Sequence, residues 1–458
     1  MKTLQLSDLP EKAHIHMVGI GGISMSALAH MLKYFGYRVS GSDRTETKIT
    51  KQLKDDGFDI TIGHDPASIT NPDLVCYTAA IPQNNPELVK AKSLSIPVME
   101  RAELLGQLMK KYKFPLAVAG THGKTTTTSM LSLVLLEAGL DPTILVGGEL
   151  SQIGGNYKLG KENYLVFEAC EYVESFLHFN PFISIITNVE EDHLDYFTGI
   201  NHIISAFEKF TRLNSPDGCI IVCSDDKNCQ TVVQNSDKKV LKYGIIGKNT
   251  DFYADNIHTD SQNRTVFDVY AHGKKATQIA LFMPGEHNVK NALGAFAAAY
   301  ELGIDPDTIR RGLESYLGTK RRFESIGEVQ GIKIMDDYAH HPTEIESCLK
   351  AAKSIATGDV WCVFQPHTYS RTKAFTSDFA KALSLADKPI VTDVYPAREE
   401  YDGTIHSCDV VSLMKNGIYM NDFGAIERYI LKNAKPGDIV ITMGAGDIFK
   451  LGYKMAGK

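Results

Sequence analysis

Gly120-Thr121-His122-Gly123-Lys124-Thr125-Thr126 carries the most specific chemistry in the chain. It follows the apolar run Leu116-Ala117-Val118-Ala119 and precedes a helical pattern through Met130, Leu131, Leu133, Val134, Leu135 and Leu136. A glycine-bounded loop between a strand and a helix presents backbone N–H groups and a helix N-terminus to phosphate, and Lys124 adds an ammonium. The general phosphate-loop pattern places its first glycine where this chain has Val118, so a loop counted from Gly120 is two residues short. An ordinary strand-to-helix turn explains the glycines but not Lys124-Thr125. Phosphoryl transfer also needs a metal with oxygen ligands beside the phosphates. Thr125 and Glu168, which ends the apolar strand begun at Tyr164, form the natural pair; the alternative for Glu168 is a plain strand-end carboxylate.

Other polar stretches also follow apolar strands. Glu190-Glu191-Asp192-His193-Leu194-Asp195 comes after Asn188 and the run Phe182 to Thr187. It is either a solvated acidic loop or a place where His193 meets a second metal or a substrate. Asn288 and Asn291, three apart at the start of an Ala- and Leu-rich helix, share a face; their amides suit a base or ribose unless one of them caps the helix. Lys320-Arg321-Arg322 is a solvated hinge or the source of an arginine for transferring phosphates. In Asp336-Asp337-Tyr338-Ala339-His340-His341-Pro342-Thr343-Glu344 the adjacent histidines point different ways, which favours an orienting network over a His-His-Glu metal site. Gln365 to Thr372 is the corresponding loop after the next strand, where Arg371 forks onto a carboxylate or pairs at the surface. Nearer the start, Gly19-Ile20-Gly21-Gly22-Ile23-Ser24 approximates G-x-G-x-x-G with Ser24 in place of the last glycine, and Asp43 falls where an acidic ribose contact would. A bound nucleotide moiety and a merely tight turn both fit that signal.

The elements that position these residues alternate strand and helix. A strand from His14, a helix from Met25 to Phe35 and a strand from Tyr37 open the chain, and Leu74 to Thr78 and a helix from Arg101 to Tyr112 continue it. The second segment carries the phosphate loop, a hairpin across Gly273, and helices Glu286 to Leu302 and Asp305 to Leu317. The third has strands Ile332 to Met335, Val360 to Phe364, Pro389 to Asp393 and Asp438 to Thr442, with helices from Pro342 and from Arg371 to Leu385. Boundaries are expected at 110/111 and 318/319, which makes three α/β domains over 1–110, 111–318 and 319–458. At 458 residues the chain exceeds one ordinary core, and 43% hydrophobic with 22% charged residues is the composition of a globular protein. A net charge of −7 argues against a nucleic-acid protein, so anions must be met by local loops and helix ends. No apolar run approaches a membrane span and Met1 to Glu11 is polar, which predicts a cytoplasmic protein without membrane insertion. Cys219 and Cys223, four apart in one strand, are expected to be buried thiols and not zinc ligands.

Taken together and in this order, Gly-Ile-Gly-Gly-Ile-Ser-Met-Ser, Gly-Thr-His-Gly-Lys-Thr and Asp-Asp-Tyr-Ala-His-His-Pro-Thr-Glu resemble the Mur ligase family over essentially the whole chain. In that family the phosphate loop has the form Gly-Thr-x-Gly-Lys-Thr, which accounts for the short loop. The resemblance implies an N-terminal Rossmann-like domain for a UDP-sugar, a central phosphate-loop ATPase with a mainly parallel sheet, and a C-terminal Rossmann-like domain that closes over an amino acid. It implies ATP-dependent joining of L-alanine to the carboxylate of UDP-N-acetylmuramate in peptidoglycan precursor synthesis, with Mg²⁺, by a monomer or homodimer.

Residue by residue, it places ATP at Gly120, Thr121, His122, Gly123, Lys124, Thr125, Thr126, Asn288, Asn291, Arg322 and Asp337, and Mg²⁺ at Thr125 and Glu168. His193 would hold a second metal. Lys124, His193, Arg322 and Asp337 would serve catalysis. Gly19, Gly21, Gly22, Ser24, Met25, Ser26, Asp43 and Thr78 would meet the UDP-sugar, and Tyr338, His340 and Arg371 the amino acid. Three departures stand out: Ser24 where relatives commonly have Gly, Thr368 where they often have Arg, and Glu208 or Lys209 near the position of a carbamylated lysine in related ligases. The competing readings are a ligase that attaches a recycled peptide to the same sugar nucleotide and, in another class, an NAD-binding oxidoreductase, which leaves the Lys124 loop unexplained.

Overall fold

Short apolar runs ending in polar residues form the strands of three sheets in the computed structural model, which describes residues 4–458. The first sheet is parallel, in the order Asp59–Ile62, Arg38–Asp43, His14–Val18, Leu74–Tyr77, Val98–Glu100. His14–Val18 is central and buried along its whole length, as a strand covered on both faces must be. Its end turns at Gly19, with φ +83°, into the helix Ile23–Tyr34. The helix starts before the expected Met25, because Gly22 N closes the turn onto Gly19 O and releases Ile23 as the first helical residue.

The second sheet has ten strands. Seven run parallel: Thr143–Leu150, Tyr164–Glu168, Phe114–Ala119, Ile183–Ile186, Cys219–Cys223, Val240–Gly244 and Phe252–Thr259. Gly155–Lys158 adds an antiparallel edge on one side, and the hairpin Thr265–Ala271 with Lys274–Leu281 extends the other. The expected hairpin is therefore joined to the main sheet through Phe252–Thr259, a strand whose mixed apolar and polar pattern hides it. The helices Lys124–Glu137, Glu286–Glu301 and Pro306–Glu314 cover one face, burying Val134, Phe296 and Leu313 in a single cluster.

In the third sheet the order is Glu324–Val329, Ile332–Asp337, Ile439–Met443, Val360–Phe364, Lys388–Val391, Ile418–Tyr419, parallel except for the first strand. The helix expected over 371–385 is two helices, Tyr369–Ala374 and Thr376–Leu383, broken at Phe375. Thr372 and Thr376 turn their hydroxyls back onto the carbonyls of Thr368 and Thr372, which bends a helix, and the Phe375 ring seats edge-on against His341 at 4.9 Å. The architecture is thus a three-domain α/β protein with mainly parallel sheets. Among the described residues, no helix is long and apolar enough to cross a membrane.

The first two sheets share a core. One apolar cluster runs from Ile15 and Met17 through Leu105, Leu108, Met109 and Tyr112 to Phe167, Phe176 and Phe210. The helix Arg101–Met109 makes this join by close backbone approach: a Cβ on Gly106 would lie 2.1 Å from the His178 carbonyl oxygen. Gly106→Ala should force the helix away and destabilise the join by about 1–3 kcal/mol, the range for overpacking. The check is a lower melting temperature; an unchanged one would show that the contact yields without strain.

Candidate functional site

Gly120 and Gly123 bracket the phosphate loop in left-handed conformations, φ +131° and +81°. A Cβ on Gly120 would sit 2.1 Å from Thr187 Oγ1, and one on Gly123 2.5 Å from Asn291 Oδ1. Asn188 fastens the middle of the loop. Its backbone oxygen accepts from Thr121 N at 3.0 Å, its Oδ1 accepts from His122 N at 2.8 Å, and its Nδ2 donates to His122 O at 3.1 Å. No side chain caps the helix that begins at Lys124, and Thr127 N, donating to Gly123 O, makes the first amide bond of its opening turn. Among the described residues, the amides of Lys124, Thr125 and Thr126 are thus left to meet an anion at a helix N-terminus.

The Lys124 ammonium is half-buried, donates to the carbonyls of Gly120 and Thr121, and pairs with Glu171 at 3.0 Å. Burial works against its charge, but the negative groups around it, Glu171 foremost and Glu168 with it, hold the pKa above the ordinary lysine value. Sequence reasoning passes over Glu171, although it lies in the loop directly beyond strand-end Glu168. Thr125 Oγ1 donates to Glu168 Oε2 at 3.1 Å, and Gly147 N donates to Oε1. The two meet as expected, and oxygen donors beside a phosphate-ready helix end suit Mg²⁺.

His193 lies tilted against Tyr172 with centroids 4.6 Å apart and is held in a left-handed backbone, φ 53°. Its neighbour Asp192 is the hub of this corner. Arg371 crosses from the third domain and forks onto Asp192 Oδ1 from Nε and Nη2, at 3.1 and 2.7 Å, with Nη1 3.3 Å from His367 Nδ1. Burial would raise the Asp192 pKa, but Arg371 drives it far below the carboxylate range. The carboxylate that Arg371 forks onto in this structure is the protein's own.

A cavity of about 290 Å³ lies between the second and third sheets. His122, Gly123, Thr126, Asn288 and Asn291 form one wall, and Arg322, Asp337 and Glu344 the other. Neither asparagine caps its helix; the N-cap is Gly285, while Asn288 Nδ2 donates to Pro284 O at 2.8 Å and Asn291 Nδ2 reaches Asn288 Oδ1 at 3.5 Å. Arg322 lies over the Tyr338 ring at 5.2 Å and 3.6 Å from Glu344. Asp337 accepts from Phe323 N and Ala339 N, both at 2.7 Å; burial pushes its pKa up to about 6 in spite of Arg322. His340 Nδ1 lies 2.9 Å from Tyr338 O, and burial pushes its pKa down to about 4. Asp225, Asp226 and Tyr243 also line the cavity and escape sequence reasoning. The strand-end rule that finds Glu168 also covers the two aspartates, just beyond Cys219–Cys223.

In the first domain Gly21 N donates to Asp43 Oδ2 at 2.9 Å, and a Cβ on Gly19 would meet Thr78 at 3.3 Å. Ser24 is exposed in the first helical turn beside Gly22. Met25 is buried in the core, and Ser26 is turned into the helix, its Oγ donating to Ile23 O and its N to Gly22 O, both at 2.9 Å. Thr368 carries φ 65°, a strained conformation for a β-branched residue, fixed by Thr368 N donating to Tyr395 O at 2.9 Å. Lys209 is a surface residue paired with Glu174 at 2.9 Å, while Glu208 is half-buried.

Three family profiles match the chain: the Mur ligase family catalytic domain over residues 14–113, the Mur ligase middle domain over 118–299, and the Mur ligase glutamate ligase domain over 321–446. The chain is 49% identical to the UDP-N-acetylmuramate--L-alanine ligase of Acetivibrio thermocellus, across 99% of this chain and 97% of that one. It is 51% identical to that of Alkaliphilus metalliredigens across 95% of each. Among solved structures it is similar to a UDP-N-acetylmuramate-alanine ligase of Thermotoga maritima, at 33% identity and TM-score 0.81 over 97% of this chain and 98% of the other. A murein peptide ligase of Psychrobacter arcticus matches over the same shares at 28% identity and TM-score 0.71.

Asp337 provides a pH test. The folded chain holds its proton more tightly than the unfolded chain, so the protonated group favours folding below 3.8 and that contribution is lost as pH rises through about 6. Asp337→Asn should flatten the pH dependence of the melting temperature across this window. A profile parallel to that of the unmodified protein would show that Asp337 titrates normally.

Proposed function

Because the chain belongs to the Mur ligase family, we propose that it joins L-alanine to the carboxylate of UDP-N-acetylmuramate, with ATP converted to ADP and phosphate. The observation that carries this reading is the cavity between the second and third sheets, where Gly123, Asn291, Arg322 and Asp337 from two domains surround one space at an anion-ready helix end. The relatives, matched over 95–98% of their length under one name, supply the substrates. They do not favour a peptide-recycling ligase or an NAD-dependent oxidoreductase.

A carboxylate is a poor electrophile. Transfer of the terminal phosphoryl group of ATP to it gives an acyl phosphate, which the amine of alanine attacks; the tetrahedral intermediate then expels phosphate and leaves UDP-N-acetylmuramoyl-L-alanine. Lys124 and Arg322 stabilise the charge that develops on the transferring group. Asn288 and Asn291 hold ATP, and Asp337 orients the arginine side of the cavity. Thr125 and Glu168 are the residues that would hold Mg²⁺, with His193 for a second ion; when bound, such ions supply charge stabilisation at phosphate and carboxylate oxygens. Tyr338, His340 and Arg371 form the alanine pocket, and Arg371 must release Asp192 to take the alanine carboxylate. Residues 1–110 bind the UDP-sugar, through the amides after Gly22 and through Asp43 and Thr78, 111–318 bind ATP, and 319–458 close over the amino acid and ATP.

Phosphate release with UDP-N-acetylmuramate and ATP should be fastest with L-alanine when glycine, L-serine and a tripeptide are compared. Turnover with the tripeptide alone would sink the proposal. Lys124→Ala should lower kcat/KM by at least about 10²-fold, the cost of losing one charge-stabilising donor. Binding of UDP-N-acetylmuramate, measured calorimetrically, should persist; loss of both would refute the domain assignment.

A further inference from the structure

His122, Glu190 and His341 place three potential ligand atoms within 4.8 Å of one another. None of the three is needed for the Mg²⁺ position at Thr125 and Glu168, and their donor chemistry differs from it. Two imidazole nitrogens and one carboxylate oxygen suit a borderline divalent ion such as Zn²⁺, whereas Mg²⁺ prefers oxygen alone.

The arrangement around the two rings has the form of a built metal shell. His122 Nδ1 lies 3.3 Å from Glu344 Oε1, which leaves Nε2 facing Glu190 Oε2 at 3.6 Å. That Nε2 is fully buried and has no hydrogen-bond partner. His341 Nε2 lies 3.0 Å from the Glu191 carbonyl oxygen, which leaves Nδ1 facing the same Glu190 oxygen at 4.0 Å. Each ring is thus tied at one nitrogen to a carboxylate or a carbonyl, and the other nitrogen faces Glu190; that of His122 is unpartnered, while Nδ1 of His341 also accepts a long bond from Thr343 N at 3.4 Å, which an ion would replace. Metal-binding histidines are oriented in this way by their outer partners. The third ligand is oriented too, because Thr343 Oγ1 donates to Glu190 Oε2 at 2.6 Å.

The distances favour an ion over a direct contact. At 3.6 Å the His122–Glu190 separation is too long for a good hydrogen bond. Two ligands on one zinc, each bonded at roughly 2.0–2.1 Å in tetrahedral geometry, lie about 3.3 Å apart. Reaching that spacing takes a turn of the Glu190 side chain, which is 31% exposed, together with an approach of the two rings, whose ligand atoms lie within 4.8 Å of each other. Without an ion, Glu344 and Glu190 keep a proton on His122 against the effect of burial, so a metal must displace that proton as it binds.

The geometry points to a transition-metal site, of Zn²⁺ class, formed by His122 and Glu190 of the central domain with His341 of the C-terminal domain. Because its ligands come from the phosphate loop, the Glu190 loop and the start of helix Pro342–Ile355, an ion there clamps the two domains together. His122 and Glu190 both line the cavity, so the remaining coordination position opens towards it.

The test is Zn²⁺ binding to the full-length, nucleotide-free protein in excess Mg²⁺, by calorimetry. One tight equivalent is expected. Glu190→Gln and His341→Gln should each weaken it at least about 100-fold, and Glu344→Gln about 10–100-fold, the range for outer-shell partners. Glu168→Gln should leave it unchanged. No saturable binding, binding that survives both ligand variants, or binding lost in Glu168→Gln would overturn the site. X-ray absorption of the zinc-loaded, unmodified protein gives a readout that does not depend on variants folding: two imidazole ligands support the assignment, and an all-oxygen shell overturns it.

Discussion

The site depends on the loop from Gly120 to Thr125 being made of backbone. Its two glycines sit where a Cβ would strike Thr187 or Asn291, and Asn188 pins the residues between them. The result is a helix N-terminus with no side-chain cap, aimed into a cavity. Every other functional side chain has to be delivered to that point from elsewhere. Glu168 and Asn188 come from the ends of the two parallel strands that flank Phe114–Ala119, Asn291 from a helix packed over them, and Arg322 and Asp337 from another domain. A parallel sheet makes this convergence natural, since the carboxyl ends of its strands lie along one edge.

Charge governs the seam between the second and third domains. Arg371 with Asp192, His341 with the Glu191 carbonyl and Thr343 with Glu190 all cross it, and Glu344 faces both His122 and Arg322. Buried ion pairs of this kind contribute little net stability, because desolvation cancels much of the attraction. Their effect is on register: removing one partner leaves a buried charge unpaired, so only a narrow set of domain placements is tolerated. The same groups must exchange partners when ligands arrive. Lys124, now held by Glu171 and two loop carbonyls, and Arg371, now held by Asp192, are cations kept in place by the protein itself.

Burial also separates the titrating groups by role. Asp337 is pushed up to about 6, and His340 and His287, which lines the cavity, down to about 4, so the two imidazoles stay neutral while Asp192 and Lys124 stay charged. Few of these shifts follow from residue type. Asp336 and Asp337 are chain neighbours, yet Asp336 is bonded to Thr442 and Arg321 while Asp337 accepts two backbone amides at the cavity wall.

Local order was legible in the amino-acid sequence because it is written at short range. The run into Gly120, the glycine-bounded loop, the strand ending at Glu168 and the alternation that makes three α/β domains all depend on neighbouring residues. The pairing of Thr125 with Glu168 followed from the rule for strand ends in parallel sheets. The break at Phe375, where the ring meets His341, did not, and neither did the joining of the hairpin to the sheet through Phe252–Thr259. Glu171 on Lys124, Asp192 under Arg371, and His122 between Glu190 and Glu344 were decided by tertiary structure alone. Each is a contact between residues distant in the chain or on different loops, and its strength comes from burial, which exists only once the domains have met.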